Sequence, residues 1–136
     1  MKLFRKDSNY AVRTLIFIAQ GDPSKPISST CVSENLGIPK SFLRRIFSKL
    51  IQAGILLATE GVRGGVVLAK PPATITVGEI VFALQGGVRI CNCFQDHRSC
   101  SEYETCPIKS KIIAMESLLT QAFHAISIQT LIDESG

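Results

Sequence analysis

Four of the chain's five cysteines fall within sixteen residues, in the stretch RICNCFQDHRSCSEYETCPIK: Cys91, Cys93, Cys100 and Cys106. Thiolates are soft ligands that select zinc, copper(I) or iron–sulfur clusters, and they also pair oxidatively. Structural zinc sites bring their cysteines in close pairs separated by about two to four residues. Here the intervals hold one, six and five residues. The first is a poor chelate bite, and the wider gaps suit a loop wrapped around an object larger than one ion. An iron–sulfur cluster therefore fits the spacing better than zinc. Arg89, Arg98 and Lys109 are close enough in sequence to keep thiolates ionised and to offset a cluster's negative charge. On spacing alone, zinc, a redox disulfide and inert thiols stay open. Cys31 stands apart on an apolar helical stretch and reads as a core residue.

Little else in the chain suggests chemistry. The two histidines, His97 and His124, belong to no Ser/His/Asp set, and no phosphate loop or paired-carboxylate motif is present. The expectation is a protein that is not an enzyme and has no small-molecule substrate. At 136 residues, 46% apolar and 19% charged, the chain can bury a core without disulfides. Its first residues lack the apolar region of a signal peptide, and no apolar run approaches the roughly 20 residues that span a bilayer. That composition predicts a cytoplasmic protein with no membrane partner. In a reducing compartment, clustered cysteines more often mean metal or redox chemistry than cross-links. The net charge of +4 is unevenly spread. Residues 1–75 hold eleven Lys/Arg against four Asp/Glu, whereas residues 76–136 hold four against seven. A basic front half suits a polyanion, because each neutralised phosphate releases counterions.

The elements that must position these residues follow from periodicity. Ala11, Leu15, Ile18 and Ala19 line one face of a helix over residues 10–20, which GDPSKP then breaks. Ser28 or Ser29 can N-cap a short helix that Gly37 closes. A second helix over residues 39–53 carries Leu43, Ile46, Phe47 and Leu50 on one side. Ser41, Arg44, Arg45, Ser48 and Gln52 lie on the other. Two helices joined by a tight turn, the second apolar on one side and basic on the other, make a helix-turn-helix. Two β-leaning runs then flank EGVRGG, a hairpin loop with Arg63 at its tip: a wing. TVGE, at residues 76–79, is a capping box opening a further helix. After the cysteines, Ile108, Ile112, Met115, Leu119, Ala122 and Ile126 recur in steps of four and three, a heptad seam on a helix starting at Pro107. The seam outlasts what a small winged helix needs to cover, so it reads as a dimer contact.

Together these pieces resemble the Rrf-type family of small winged-helix iron–sulfur transcriptional regulators. NYAVRTLIFIA, at residues 9–19, looks like the family's opening helix. ISSTCVSENLGIPKSFLRRIFSKLIQAGIL, at residues 27–56, looks like its helix-turn-helix. GVRGGVVLAKPPATITVGEIV, at residues 61–81, is similar to its wing and following helix. The resemblance implies a homodimer on a palindromic operator in double-stranded DNA. It also implies a [2Fe–2S] or [4Fe–4S] cluster held by Cys93, Cys100 and Cys106, with Cys91 an extra thiol and alternative first ligand. IscR-like members place a histidine where this chain has Lys109. NsrR-like members recruit an aspartate from the partner's N-terminal segment, where this chain has Asn9 with Asp7 close by. The fourth ligand is thus open among Asp7, Cys91, His97, Glu102 and Glu104. A wing tyrosine usual in the family is Val66 here. Arg44 stands where IscR-like members have glutamate, which implies a different operator.

The expected architecture is mostly α with a small β-hairpin wing: a winged helix-turn-helix domain plus a long C-terminal dimerisation helix. Residues 1–86 would form the DNA-binding domain with its post-wing helix, 87–106 the cluster loop, 107–130 the dimer helix and 131–136 a tail whose DESG end frays. Ser41, Arg44 and Arg45 are expected in the major groove, where arginine reads guanine bidentately. Lys40, Lys49 and Arg63 are assigned to phosphates, and Ser28 joins the DNA-binding set. The function expected is a transcriptional regulator, read as a repressor, whose operator binding a cluster modulates. The alternative is a cluster-free winged-helix regulator, or a thiol or zinc redox-sensing module acting through a protein partner.

Overall fold

Leu43, Ile46 and Leu50 are spaced at three and four residues, and all three are fully buried along the inner side of one helix. That helix is α3 (Lys40–Gln52), seen in a computed structural model that describes residues 3–91 and 104–135. It follows α1 (Lys6–Ala19) and α2 (Ser29–Leu36) and precedes a hairpin of β1 (Leu56–Thr59) and β2 (Gly65–Leu68). A 3₁₀ turn (Pro72–Thr74) leads to α4 (Val77–Gln85), and α5 (Lys109–His124) and α6 (Ile128–Ser135) complete the described chain. The expected mostly α architecture with a hairpin wing is the one found.

Capping sets where the helices begin and stop. The Ser28 hydroxyl accepts from the Cys31 N–H at 3.1 Å and opens α2. Gly37, at φ 70°, closes it and turns the chain into α3. Ile38, within that turn, is buried with Val32 and Leu43, so the two helices are locked in one angle. The main core joins α1, α3, the hairpin, α4 and α6 through Leu15, Ile46, Leu56, Ile80 and Ile128. Each such fully buried side chain stabilises the fold by about 1.5–3 kcal/mol.

The hairpin is antiparallel, with Leu56 opposite Leu68 and Thr59 opposite Gly65. It is anchored by a third segment: Ile27 and Val66 exchange backbone hydrogen bonds of 3.0 and 2.9 Å. Gly65 allows this crossing, because a Cβ there would collide with the Ile27 carbonyl.

The C-terminal region departs from the single helix expected over residues 107–130. The helix ends at His124, and residues 125–127 form a joint before α6. The Val77 N–H donates to the Ile126 carbonyl and the Ile128 N–H to the Ile75 carbonyl, both at 2.8 Å. These bonds pull the backbone out of the helical ladder, and burial of Ile128 rewards the break. The Ser127 hydroxyl accepts from the Thr130 N–H at 3.0 Å and so caps α6. Residues 131–135, expected to be a tail, are helical, with Leu131 and Ile132 packed on the core. The heptad seam is split accordingly. Leu119 and Ile126 pack against Val77, Val81 and Val88 of their own chain.

The Thr76–Glu79 capping box forms as expected, with both reciprocal bonds present. Lys70 Nζ adds a 2.6 Å bond to the Glu79 carboxylate. Burial pushes this carboxyl up, but the Lys70 hydrogen bond and the Thr76 N–H outweigh it, so it sits below its ordinary range. A carboxyl lowered in the folded state stabilises above its unfolded range and loses that contribution as pH falls through the folded value. Glu79→Gln should therefore cost about 1 kcal/mol at neutral pH. The gap from wild type should close in acid, as urea unfolding at the two pH values would measure.

Candidate nucleic-acid interface and cysteine segment

With one side of α3 committed to the core, the opposite side is fixed in solvent. Ser41, Arg44 and Arg45 are all exposed there, and Lys40 is exposed at the helix start. Lys49 is half-buried towards the end of the same helix. Arg63 is exposed in the wing loop beside Val62, which is fully exposed. The wing closes on itself through Thr59, whose hydroxyl accepts from the Gly65 N–H at 3.0 Å. Ser28 differs from its expected partners, because its hydroxyl is spent on the α2 cap and the residue is half-buried.

The two arginines of α3 are not equivalent. The Arg45 guanidinium lies 5.9 Å from the Phe42 ring centroid and 4.0 Å from the Asp7 carboxylate. Asp7, only 3% exposed, also takes a 2.8 Å ion pair from Arg5 and accepts from the Ser8 N–H at 2.9 Å. Arg44 makes no such contact among the described residues. Next to Asp7, Gln85 at the end of α4 gathers the N-terminal segment. Its Oε1 accepts from the Arg5 N–H and the Ser8 hydroxyl, and its Nε2 donates to the Leu3 and Gly87 carbonyls. No sequence pattern announces this glutamine; a lone polar residue on the last turn of an apolar helix was its only trace.

Of the cysteines expected to bind a cluster, Cys93 and Cys100 lie outside the described residues, as do His97 and Glu102. Cys91 and Cys106 are half-buried free thiols. Their neighbours are held. The Ile90 N–H donates to the Glu116 carboxylate of α5 at 2.9 Å, and the Lys109 N–H reaches back to the Cys106 carbonyl at 3.4 Å. Cys91 therefore leaves the end of the α4 segment and Cys106 enters α5, with the other two thiols between them in sequence. Thiolate donors at both ends of one segment suit a soft metal group. Among the described residues no three His, Cys, Asp or Glu side chains converge on a metal-sized site. Asp7 already has two arginines and a backbone N–H as partners. Cys31 is half-buried rather than a full core residue, 3.6 Å from the Asn35 amide.

The seam residues outside the core are exposed or half-exposed. No residue of α5 is buried, and Ile108, Ile113, Met115 and Leu118 are 52, 46, 44 and 65% exposed. No helix among the described residues is long and apolar enough to cross a membrane.

Residues 4–134 match the family model Rrf2, described as an iron-dependent transcriptional regulator. A chain from Synechocystis named as a helix-turn-helix-type transcriptional regulator is 35% identical over 102 residues, 75% of this chain and 69% of that one. The regulator IscR of Photorhabdus laumondii is 28% identical over 133 residues, covering 98% of this chain and 80% of that one. Among solved structures, CymR, the global cysteine regulator of B. subtilis, superposes with a TM-score of 0.77. It is 21% identical and covers 98% of both chains.

The crossing of Ile27 over the wing makes a direct test of the interface scaffold. Gly65→Ala should destabilise the fold by about 2 kcal/mol and weaken DNA binding further by displacing the wing. Gly21→Ala, where a Cβ meets only ordinary contacts, should change stability by less than about 0.5 kcal/mol. Thermal unfolding and fluorescence anisotropy on both variants would measure the two effects.

Proposed function

The chain belongs to the Rrf2 family of transcriptional regulators, and on that premise we propose that it is a homodimeric, cluster-controlled repressor acting in the cytoplasm on a palindromic operator. It is a winged-helix DNA-binding protein and not an enzyme. The observation that carries the DNA reading is α3, whose three fully buried residues hold Ser41, Arg44 and Arg45 outward. Those side chains enter the major groove, and arginine's fork takes the O6 and N7 atoms of guanine. Lys40, Lys49 and the wing's Arg63 lie on phosphates and set the register.

Dimerisation is supported by α5. A helix with no buried residue, three large exposed apolar side chains and a fourth at its cap, Ile108, leaves apolar surface uncovered among the described residues. A second copy covers it through Ile108, Ile112, Met115 and Ala122, with Leu118 joining them. The dimer then presents two recognition helices, and half-sites about one helical turn apart mirror its two-fold axis.

Cys93, Cys100 and Cys106 would hold the cluster, with Cys91 the next thiol in sequence, and the group would supply oxidation-sensitive chemistry to the segment between α4 and α5. The chain's own residues relate that segment to the DNA-reading head. Gln85 binds the N-terminal segment beside Asp7, and Glu116 holds Ile90 against α5. A small change in the segment between them alters the angle between the two heads.

Protein purified without oxygen should be brown, with iron and acid-labile sulfide in matched amounts, and each of Cys93→Ala, Cys100→Ala and Cys106→Ala should lose the colour. A colourless chain that resists reconstitution would remove the cluster and leave a winged-helix regulator working by another signal. For DNA, Arg44→Ala should lose about 1–3 kcal/mol of discrimination at one base position. Uniform weakening on all sequences would instead move Arg44 to the phosphates.

A further inference from the structure

Asp7 is an acidic residue almost wholly buried, and that placement needs an explanation. A carboxylate held at 3% exposure must be compensated by partners. Arg5 supplies a close one at 2.8 Å, and the Ser8 N–H serves the other oxygen at 2.9 Å. The remaining neighbour is Arg45, on a different helix and otherwise 55% exposed. Its guanidinium is bounded by two groups that the N-terminal helix supports. One is the Asp7 carboxylate; the other is the Phe42 ring, held edge-on at 5.7 Å by Tyr10. Arg44, adjacent in sequence, has neither restraint among the described residues.

We propose that Asp7 is a positioning residue for DNA recognition, holding the Arg45 guanidinium in the orientation in which it reads a base. The inference rests on the reading of α3 as the recognition helix and adds a division of labour between its two arginines. A long side chain that must present a planar fork binds more selectively when it is already oriented. The same carboxylate offsets part of the Arg45 charge, so it subtracts from the unselective attraction to phosphates. Asp7 thus raises the ratio of specific to non-specific binding from both sides. That sets it apart from a carboxylate serving only as a structural ion pair, and from one that merely repels DNA.

The experiment uses the full chain and a duplex that the wild-type protein selects from a randomised pool, alongside a scrambled duplex of equal length. Asp7→Asn should bind the selected duplex more weakly and the scrambled one equally or better, lowering their ratio about tenfold. The salt dependence on scrambled DNA should steepen. If Asp7→Asn strengthened binding to both duplexes by the same factor, Asp7 would be only a repulsive charge and the proposal would fail. Parallel weakening on both, with a matching loss of thermal stability, would make it only structural. Should that variant fold poorly, Arg45→Lys keeps the charge but removes the fork, and must lower the ratio without changing the salt slope; an unchanged ratio overturns the proposal. On the selected duplex the double variant should bind no more weakly than Arg45→Lys alone, because the orienting contact is already gone, while its binding to the scrambled duplex should still rise. A wild-type protein that selects no sequence at all would sink the DNA reading itself, a separate and visible failure.

Discussion

The seating of α3 is the constraint on which the rest depends. Leu43, Ile46 and Leu50 are fully buried, and a helix with three such anchors cannot rotate about its axis without exposing all of them at a cost of several kcal/mol. Fixing the rotation fixes the direction in which Ser41, Arg44 and Arg45 leave the surface. Gly37 and Ile38 fix the angle to α2, and only three residues separate the end of α3 from β1. A sequence-reading head needs this rigidity, since base contacts distinguish partners only when the donors arrive in a set geometry.

The wing and the C-terminal helices obey a different logic, because each is held by backbone pairing with a remote segment. Ile27 grips Val66 at the base of the wing, and Ile75 to Val77 grip the joint between α5 and α6. Both bridges leave one end of an element outside the core. The wing loop projects Val62 and Arg63, and α5 presents Ile113, Met115 and Leu118 exposed among the described residues. The fold is thus firm around α3 and incomplete along α5. That distribution suits the proposed pairing with a second copy along α5.

Where local chemistry decided the outcome, the sequence was legible. Ser28, Gly37, the Thr76–Glu79 box and the four-and-three spacing in α3 each act within a single turn or helix, and the structure has each of them. The single C-terminal helix was misread because its apolar period runs through His124 without interruption. What ends it is a pair of hydrogen bonds from residues some fifty positions earlier in the chain. Ser127 was the one local sign, a good N-cap inside an apparently helical run. Asp7 was noticed for its chemistry as a ligand. Its contact with Arg45 spans α1 and α3, and no periodicity reports a contact of that kind.

The charge distribution ties these parts together. Eleven of fifteen cationic residues lie in the first 75 positions, yet one anion, Asp7, is buried among the helices of the basic half. Burying a carboxylate there costs desolvation, and it weakens the attraction to phosphate that the surrounding cations create. A protein shaped only for tight DNA binding gains nothing from that arrangement. The role proposed for Asp7 accounts for it, because restraint on unselective binding and orientation of one arginine act on the same ratio. Gln85 sits where this anion's segment meets the end of α4, one residue before the glycines that lead into the cysteine segment. Gln85 thereby ties the N-terminal segment that carries Asp7 to the end of α4: three of its four hydrogen bonds go to Leu3, Arg5 and Ser8, and the fourth to the Gly87 carbonyl.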